Sequence, residues 1–170
     1  MLNPSATAGA LYTAAQRLRR DASRWTLVQG ILAPVQFAAF LISLALVLRF
    51  LASGNGLAAA NASILVKTAL LYAIMITGSF WERDVFGQYL FARPFFWEDV
   101  VSMLVLALHT AYLLALAKGW LASRELMLLA LAAYLTYVVN ATQFVIKLRA
   151  ARRQQPRAHA NLGLAAGVAE

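Results

Sequence analysis

The stretch from Trp81 to Asp99, WERDVFGQYLFARPFFWED, combines residue types that suit acid–base chemistry. It holds four of the chain's seven acidic residues, interleaved with seven aromatic side chains. A carboxyl group that loses water among aromatic rings favours its protonated form and can then give a proton to a reacting group. A neighbouring carboxylate that stays ionised can take a proton from water. The stretch therefore predicts a site of general acid–base catalysis.

The position of each carboxylate along the predicted helices separates their roles. Glu82 ends one predicted helix, whereas Glu98 and Asp99 begin the next. The positive end of a helix favours the ionised form of Glu98 and Asp99. Glu82 is therefore the predicted proton donor, and Glu98 or Asp99 the predicted base. A structural alternative stays open, in which Glu98 and Asp99 cap their helix and Glu82 pairs with an arginine.

The composition indicates that membrane helices position this stretch. The chain has 170 residues, of which 62% are hydrophobic and 13% charged, whereas soluble domains are about half apolar and a quarter charged. We predict an all-α integral membrane protein with a four-helix transmembrane bundle as its single domain (25–148). An N-terminal segment (1–24) precedes this domain, and a basic, disordered tail (149–170) follows it. The predicted spans are residues 25–51, 63–81, 96–117 and 125–148, with an aromatic and acidic loop at 82–97.

Several functional classes are excluded or disfavoured by composition. The absence of cysteine excludes disulfides, thiolate metal sites and cysteine nucleophiles. The net charge of +8 comes from residues that flank apolar spans, which is typical of membrane anchoring, so no nucleic-acid partner is expected. The lipid bilayer is the expected partner of these charges. In the N-terminal segment, Thr13 and Gln16 have the spacing of a capping box, which predicts a short helix before the first span.

The positive residues also predict the orientation in the membrane. If the N-terminus is cytoplasmic, eleven of the fifteen Lys and Arg residues lie on the cytoplasmic side. Because positive residues concentrate on that side, both termini and the loop at 82–97 are predicted to be cytoplasmic. Lys67 falls on the opposite side, near the start of the second span, where its long side chain is expected to reach the membrane surface.

Two stripes of polar side chains run along the first and fourth spans. Gln29 and Gln36 are seven residues apart and share one helix face, and Tyr137, Asn140 and Gln143 share another. One interpretation is a seam of hydrogen bonds between helices. The other is the polar wall of a substrate cavity, which makes these five residues candidate substrate-binding residues.

His109 lies deep in the third span, about 16 Å below Glu98 at 1.5 Å per residue. An ionisable residue at that depth is a functional candidate. Neutral imidazole is a common metal ligand, so His109 is a candidate ligand for the metal of a pigment. A hydrogen bond to a neighbouring helix is the alternative.

Four uncommon strings carry a family resemblance: DASRWTLVQGILAPVQF, WERDVFGQYLFA, FWEDVVSMLVLALHTAY and YVVNATQF. Over residues 11–152 the chain resembles the 3-vinyl bacteriochlorophyllide hydratases of photosynthetic bacteria, which an older name calls 2-vinyl. The resemblance implies a hydro-lyase that adds water across the 3-vinyl group of chlorophyllide a, or of a related bacteriochlorophyllide, in bacteriochlorophyll synthesis. The implied product carries a 3-(1-hydroxyethyl) group.

The resemblance further implies that no organic cofactor is needed and that magnesium arrives with the substrate. It implies a multi-pass protein of the bacterial inner membrane, with neighbouring enzymes of bacteriochlorophyll synthesis as candidate partners. The reaction needs an acid, a positioned water with a base, and a flat apolar slot, for which Trp81 and Trp97 are the candidate walls. If His109 bound the magnesium, Glu98 would lie too far away to reach the vinyl group, and we therefore favour the carboxylates as the functional residues.

A non-enzymatic pigment-binding or assembly protein of the photosynthetic membrane is the competing interpretation. Such a protein would use the same rings, the same deep histidine and the same polar stripes. It would have no need of a protonated carboxyl group.

Overall fold

A computed structural model describes the backbone of residues 11–167 and the side chains of residues 11–150. This part of the chain is helical and has no strand, as predicted. Four of its helices are long and apolar enough to cross a membrane. Its five helices are α1 (Ala14–Ala22), α2 (Arg24–Ser53), α3 (Leu57–Phe86), α4 (Phe96–Lys118) and α5 (Ser123–Gly167).

The four long helices form two antiparallel hairpins that pack into a bundle. In the first hairpin, Ser43 on α2 contacts Ser63 on α3, while Gln29 and Thr77 meet toward the other end. The second hairpin pairs α4 with α5, and α2 closes the bundle against α5. Large apolar side chains such as Leu135, which is 68% exposed, face outward. An apolar exterior of this kind matches a lipid environment.

The short N-terminal helix α1 forms where the capping-box spacing predicts it. Thr13 accepts a hydrogen bond from the Gln16 amide, and the Gln16 side chain accepts one from the Thr13 amide. Ser23 ends α1 and begins α2, and its hydroxyl donates to Asp84 at 2.8 Å. The segment is thereby tied to the end of α3 that carries the acidic stretch.

Helix α3 is longer at both ends than the predicted span. The turn after α2 needs only Gly54 to Gly56, with both glycines at positive φ, and the Ala-rich residues that follow are good helix formers. At the other end, α3 continues to Phe86 and is capped by Gly87 at φ +83°. The predicted loop at 82–97 is therefore a loop only from Gly87 to Phe95.

The prediction that Lys67 reaches the membrane surface is wrong. Because α3 begins at Leu57, Lys67 lies about 15 Å inside the helix rather than near its start. Its side chain points into the bundle and is fully buried.

At the C-terminal end, the backbone of α5 continues as helix to Gly167, into the stretch predicted to be a disordered tail. Alanine and arginine, which are strong helix formers, are frequent there. No side chain beyond Ala150 is described, so those of Arg152, Arg153 and Arg157, three of the four tail arginines that enter the predicted orientation, lie outside the described part of the chain. So do the first ten residues of the predicted N-terminal segment.

Candidate active site

Two carboxyl groups converge on the loop Gly87–Phe95 between α3 and α4. The Phe91 amide donates to Asp99 Oδ2 at 2.7 Å, and the next amide, that of Ala92, donates to Glu82 Oε2 at 3.1 Å. Phe91 has φ +60°, a left-handed conformation that is costly for a residue with a side chain. This conformation lets successive amides hold two carboxyl groups together.

Glu82 and Asp99 form what we call the carboxyl pair. Each side chain is buried, with 5% of Glu82 and 3% of Asp99 exposed. Because adjacent amides of the loop bind them, the two carboxyl groups lie side by side. The pair comes from the last turn of one membrane helix and the first turn of the next, as the sequence pattern anticipates.

Glu98 has a different environment from its neighbour Asp99. Its Oε2 forms an ion pair with Lys147 Nζ on α5 at 2.5 Å. The Asn140 side chain donates to the Glu98 carbonyl oxygen at 2.8 Å and to Ser102 at 2.9 Å. Glu98, Asn140 and Lys147 therefore join α4 to α5 beside the carboxyl pair.

A group of five rings, which we call the aromatic cluster, packs against the carboxyl pair. Phe95 is buried at its centre, with the Trp81 ring edge-on at 5.6 Å and the Phe144 ring stacked at 5.9 Å. Phe86 follows Glu82 by one helical turn, and Phe95 precedes Asp99 by one turn, which places rings and carboxyl groups on common faces. The members of the aromatic cluster are Tyr12, Trp81, Phe86, Phe95 and Phe144.

The two candidate tryptophans have different positions. Trp81 belongs to the aromatic cluster, and its indole N–H donates to Thr26 at 3.0 Å. Trp97 is 69% exposed and packs only against the edge of Phe96, so it lies outside the aromatic cluster.

The glutamines of the predicted polar stripes divide into bonded and unbonded groups. Gln29 donates to Thr77 at 2.7 Å, as a seam between helices would require. Gln36 Nε2 and Gln143 Oε1 are buried without a hydrogen-bond partner among the described residues. A missing partner is unusual for a buried polar group.

His109 and Tyr137 both contact Lys67 in the middle of the bundle, away from the carboxyl pair. His109 Nδ1 is 2.8 Å from the Val105 carbonyl oxygen, which makes Nδ1 the donor and leaves Nε2 to accept from Lys67 at 2.5 Å. Lys67 Nζ also lies 4.3 Å from the centre of the Tyr137 ring. The binding of a pigment metal by His109 stays a prediction, and it requires Lys67 to release Nε2.

Three features of this region are absent from the sequence predictions. Tyr12 completes the aromatic cluster from outside the membrane helices, and only its apolar ring next to the capping box hints at this. Lys147 lies on the predicted polar stripe one turn beyond Gln143, but its ion pair with Glu98 is not among the predictions. The left-handed Phe91 has no local signal, because glycine or asparagine is the usual residue in that conformation.

The chain is similar to known proteins over the residues that form this site. The sequence model of the family described as 2-vinyl bacteriochlorophyllide hydratase matches residues 12–150. A 2-vinyl bacteriochlorophyllide hydratase of Cereibacter sphaeroides is 65% identical over 150 residues, which are 88% of this chain and 93% of the relative. One of Rhodobacter capsulatus is 62% identical over 152 residues, 89% of this chain and 87% of the relative. No solved structure matches the chain. The match covers nearly the whole described bundle and includes the four strings that carry the family resemblance. The chain belongs to the 2-vinyl bacteriochlorophyllide hydratase family.

Proposed function

We propose that this chain is a hydro-lyase that adds water across the 3-vinyl group of chlorophyllide a to give the 3-(1-hydroxyethyl) product. The observation that carries the proposal is the carboxyl pair of Glu82 and Asp99, buried beside the aromatic cluster. The family membership supports the reaction class. The substrate brings its own magnesium, and the scheme uses no organic cofactor.

The carboxyl pair supplies the acid of the first step. Two carboxyl groups that lie side by side repel each other if both are ionised, so they hold one proton between them. That proton passes to the terminal carbon of the vinyl group and forms a new C–H bond from the vinyl π electrons. The inner carbon is left as a cation, which the conjugated macrocycle delocalises.

The same pair supplies the base of the second step. After the first proton transfer both carboxylates are ionised. The oxygen of the attacking water then bonds to the inner carbon, and one of the carboxylates accepts a proton from that water. The pair then holds one proton again, and the net change is the addition of one water. In this scheme Glu82 is the acid and Asp99 the base, in line with the roles predicted from their helix positions.

Glu98 has a supporting role in the proposal rather than that of the base. Its carboxylate is engaged in the ion pair with Lys147 on α5, whereas the carboxyl pair is held by the loop amides. The aromatic cluster, with Trp81, forms the apolar wall against which the flat macrocycle packs. Exclusion of bulk water by these rings strengthens the electrostatic interactions within the site.

We further propose a location in the bacterial inner membrane, with both termini and the loop Gly87–Phe95 on the cytoplasmic side. The concentration of positive residues at this end supports the orientation. A substrate made in the cytoplasm would meet the carboxyl pair at the membrane surface. Neighbouring enzymes of bacteriochlorophyll synthesis are candidate partners on the same side.

The first test is hydration of chlorophyllide a by the full chain in a heterologous membrane. Product is followed by chromatography, by a mass gain of one water, and by the shift of the red absorption band to shorter wavelength. Glu82→Gln and Asp99→Asn should each lower the hydration rate by roughly 100-fold or more, because each removes a proton-transfer group. Glu125→Gln is the matched control, since Glu125 caps the start of α5 far from the carboxyl pair.

The outcomes separate the competing functions. Wild-type rates in both amide variants would contradict the catalytic role of the carboxyl pair. If folded wild-type protein binds the pigment and returns it unchanged, the hydratase proposal fails for this substrate. The pigment-binding alternative would then be the better interpretation.

A further inference from the structure

Tyr12 brings a hydroxyl group into the aromatic cluster that packing alone does not explain. It lies outside the membrane-spanning helices, just before α1, and only 4% of the residue is exposed. Its hydroxyl oxygen is buried, and no residue of the described chain accepts a hydrogen bond from it. A phenylalanine ring would fill the same space without burying an unpaired polar group, which is costly.

The nearest charge does not satisfy this hydroxyl. The Arg20 guanidinium lies over the Tyr12 ring at 5.1 Å, but its Nε and Nη2 atoms are bound to Asp21 at 2.8 and 2.7 Å. Burial raises the pKa of Tyr12 to about 12, and the charge of Arg20 and its contact with the hydroxyl, where arginine can only donate, offset this only in part. The hydroxyl therefore keeps its proton at neutral pH and remains a hydrogen-bond donor.

The ring of Tyr12 lies where a flat ligand would have to pack. It stacks on Phe86 with centroids 5.9 Å apart and planes inclined by 11°, and its centroid is 6.3 Å from that of Phe95. These two rings are one helical turn from Glu82 and Asp99, respectively. A macrocycle that presents a substituent to the carboxyl pair must therefore pack against this cluster, with its edge close to Tyr12.

We propose that Tyr12 is a substrate-binding residue whose hydroxyl donates a hydrogen bond to an oxygen at the edge of the bound tetrapyrrole. The inference rests on the proposed function, since it takes the pigment as the ligand of the aromatic cluster. It gives the buried donor an acceptor that the described residues do not supply. It also assigns a role to the segment before the first membrane helix.

The test is Tyr12→Phe, which keeps the ring and removes only the hydroxyl. Binding of chlorophyllide a is measured on the full chain in detergent by quenching of tryptophan fluorescence, to which Trp81 in the cluster contributes. The dissociation constant should rise about tenfold, the effect of losing one hydrogen bond to a ligand. The melting temperature should not fall, because the hydroxyl gives its hydrogen bond to no residue of the described chain.

Tyr72→Phe is the matched control. The Tyr72 hydroxyl is 2.6 Å from Thr110 across the α3–α4 contact, so its removal should lower the melting temperature and leave pigment affinity unchanged. An unchanged dissociation constant in Tyr12→Phe, with or without a lower melting temperature, would overturn the proposal. Because binding is measured without turnover, a protein that binds but does not hydrate would refute the proposed function and still decide the role of Tyr12. A wild-type protein that binds no pigment would overturn both.

Discussion

Glu98 and Asp99 show how much of the site depends on the direction of single side chains. Successive residues of a helix point about 100° apart, so Glu98 reaches Lys147 on α5 while Asp99 reaches the loop beside α3. The sequence predicts a group of carboxylates at one membrane surface, and in the structure Glu82 and Asp99 come together at the loop between α3 and α4. The sequence does not predict that Glu98 and Asp99 bind different partners, because those partners are distant in sequence and depend on the arrangement of the helices.

The ion pair between Glu98 and Lys147 is predicted to stabilise the bundle. Lys147→Met leaves the buried Glu98 carboxylate without a partner and should lower the free energy of unfolding by roughly 2 kcal/mol. We expect less than for a fully buried pair, because the Lys147 side chain is 26% exposed. Unfolding of the purified protein in mild detergent measures this change.

A second substitution isolates the pair. Glu98→Gln in the Lys147→Met background removes the unpaired charge and should restore part of the lost stability, as a double-mutant cycle would show. A Lys147→Met protein as stable as the wild type would contradict the stabilising role of the ion pair.

Among the elements, the four long helices follow from the hydrophobic spans, and α2, α3 and α4 each end at a glycine with positive φ. The predicted and observed starts of α4 agree at residue 96, whereas α3 begins six residues earlier than predicted because its first turn is alanine-rich rather than strongly apolar. Hydropathy detects the part of a helix that lies in lipid, while backbone propensity decides where the helix ends. The loop conformation at Phe91 could not be predicted, since it depends on the two carboxyl groups that its amides bind.

The close contact between α2 and α3 at Gly78 is predicted to need a small residue. A methyl group added at Gly78 would lie 3.8 Å from Gln29 Nε2, an ordinary contact, so Gly78→Ala should keep or slightly raise the stability. Gly78→Leu should displace Gln29 from Thr77 and lower the free energy of unfolding by about 2 kcal/mol. Thermal unfolding of both variants measures the difference, and equal stability would show that the hairpin does not need a small residue here.

The whole molecule is a bundle whose buried carboxyl groups lie at one end, while Lys67 and His109 are buried in its middle. The carboxyl pair, the Glu98–Lys147 ion pair and the aromatic cluster lie where α3 ends and α4 begins, and α1 packs beside them. The sequence predicts this asymmetry, because acidic and aromatic residues crowd one connection between spans. It does not predict that Tyr12 enters the same cluster, since nothing in the N-terminal segment encodes its packing against α3.

The orientation of the bundle can be tested directly because the chain has no cysteine. Gln88→Cys in the loop after α3 and Asn55→Cys in the turn after α2 each introduce a single exposed thiol at opposite ends of α3. With a membrane-impermeant reagent, Asn55→Cys should be labelled in intact cells and Gln88→Cys only after lysis. The reverse pattern would overturn the proposed orientation.

The buried Lys67 constrains how the protein can be assembled in a membrane. Its partners His109 and Tyr137 belong to α4 and α5, which are synthesised after α3. An amine in the middle of a membrane helix costs about 3 kcal/mol at insertion. The first hairpin therefore enters the bilayer carrying a polar group that it cannot satisfy, and the second hairpin supplies the missing contacts. The packing of α2 and α3 around Lys67 is therefore complete only after α4 and α5 have been translated and inserted.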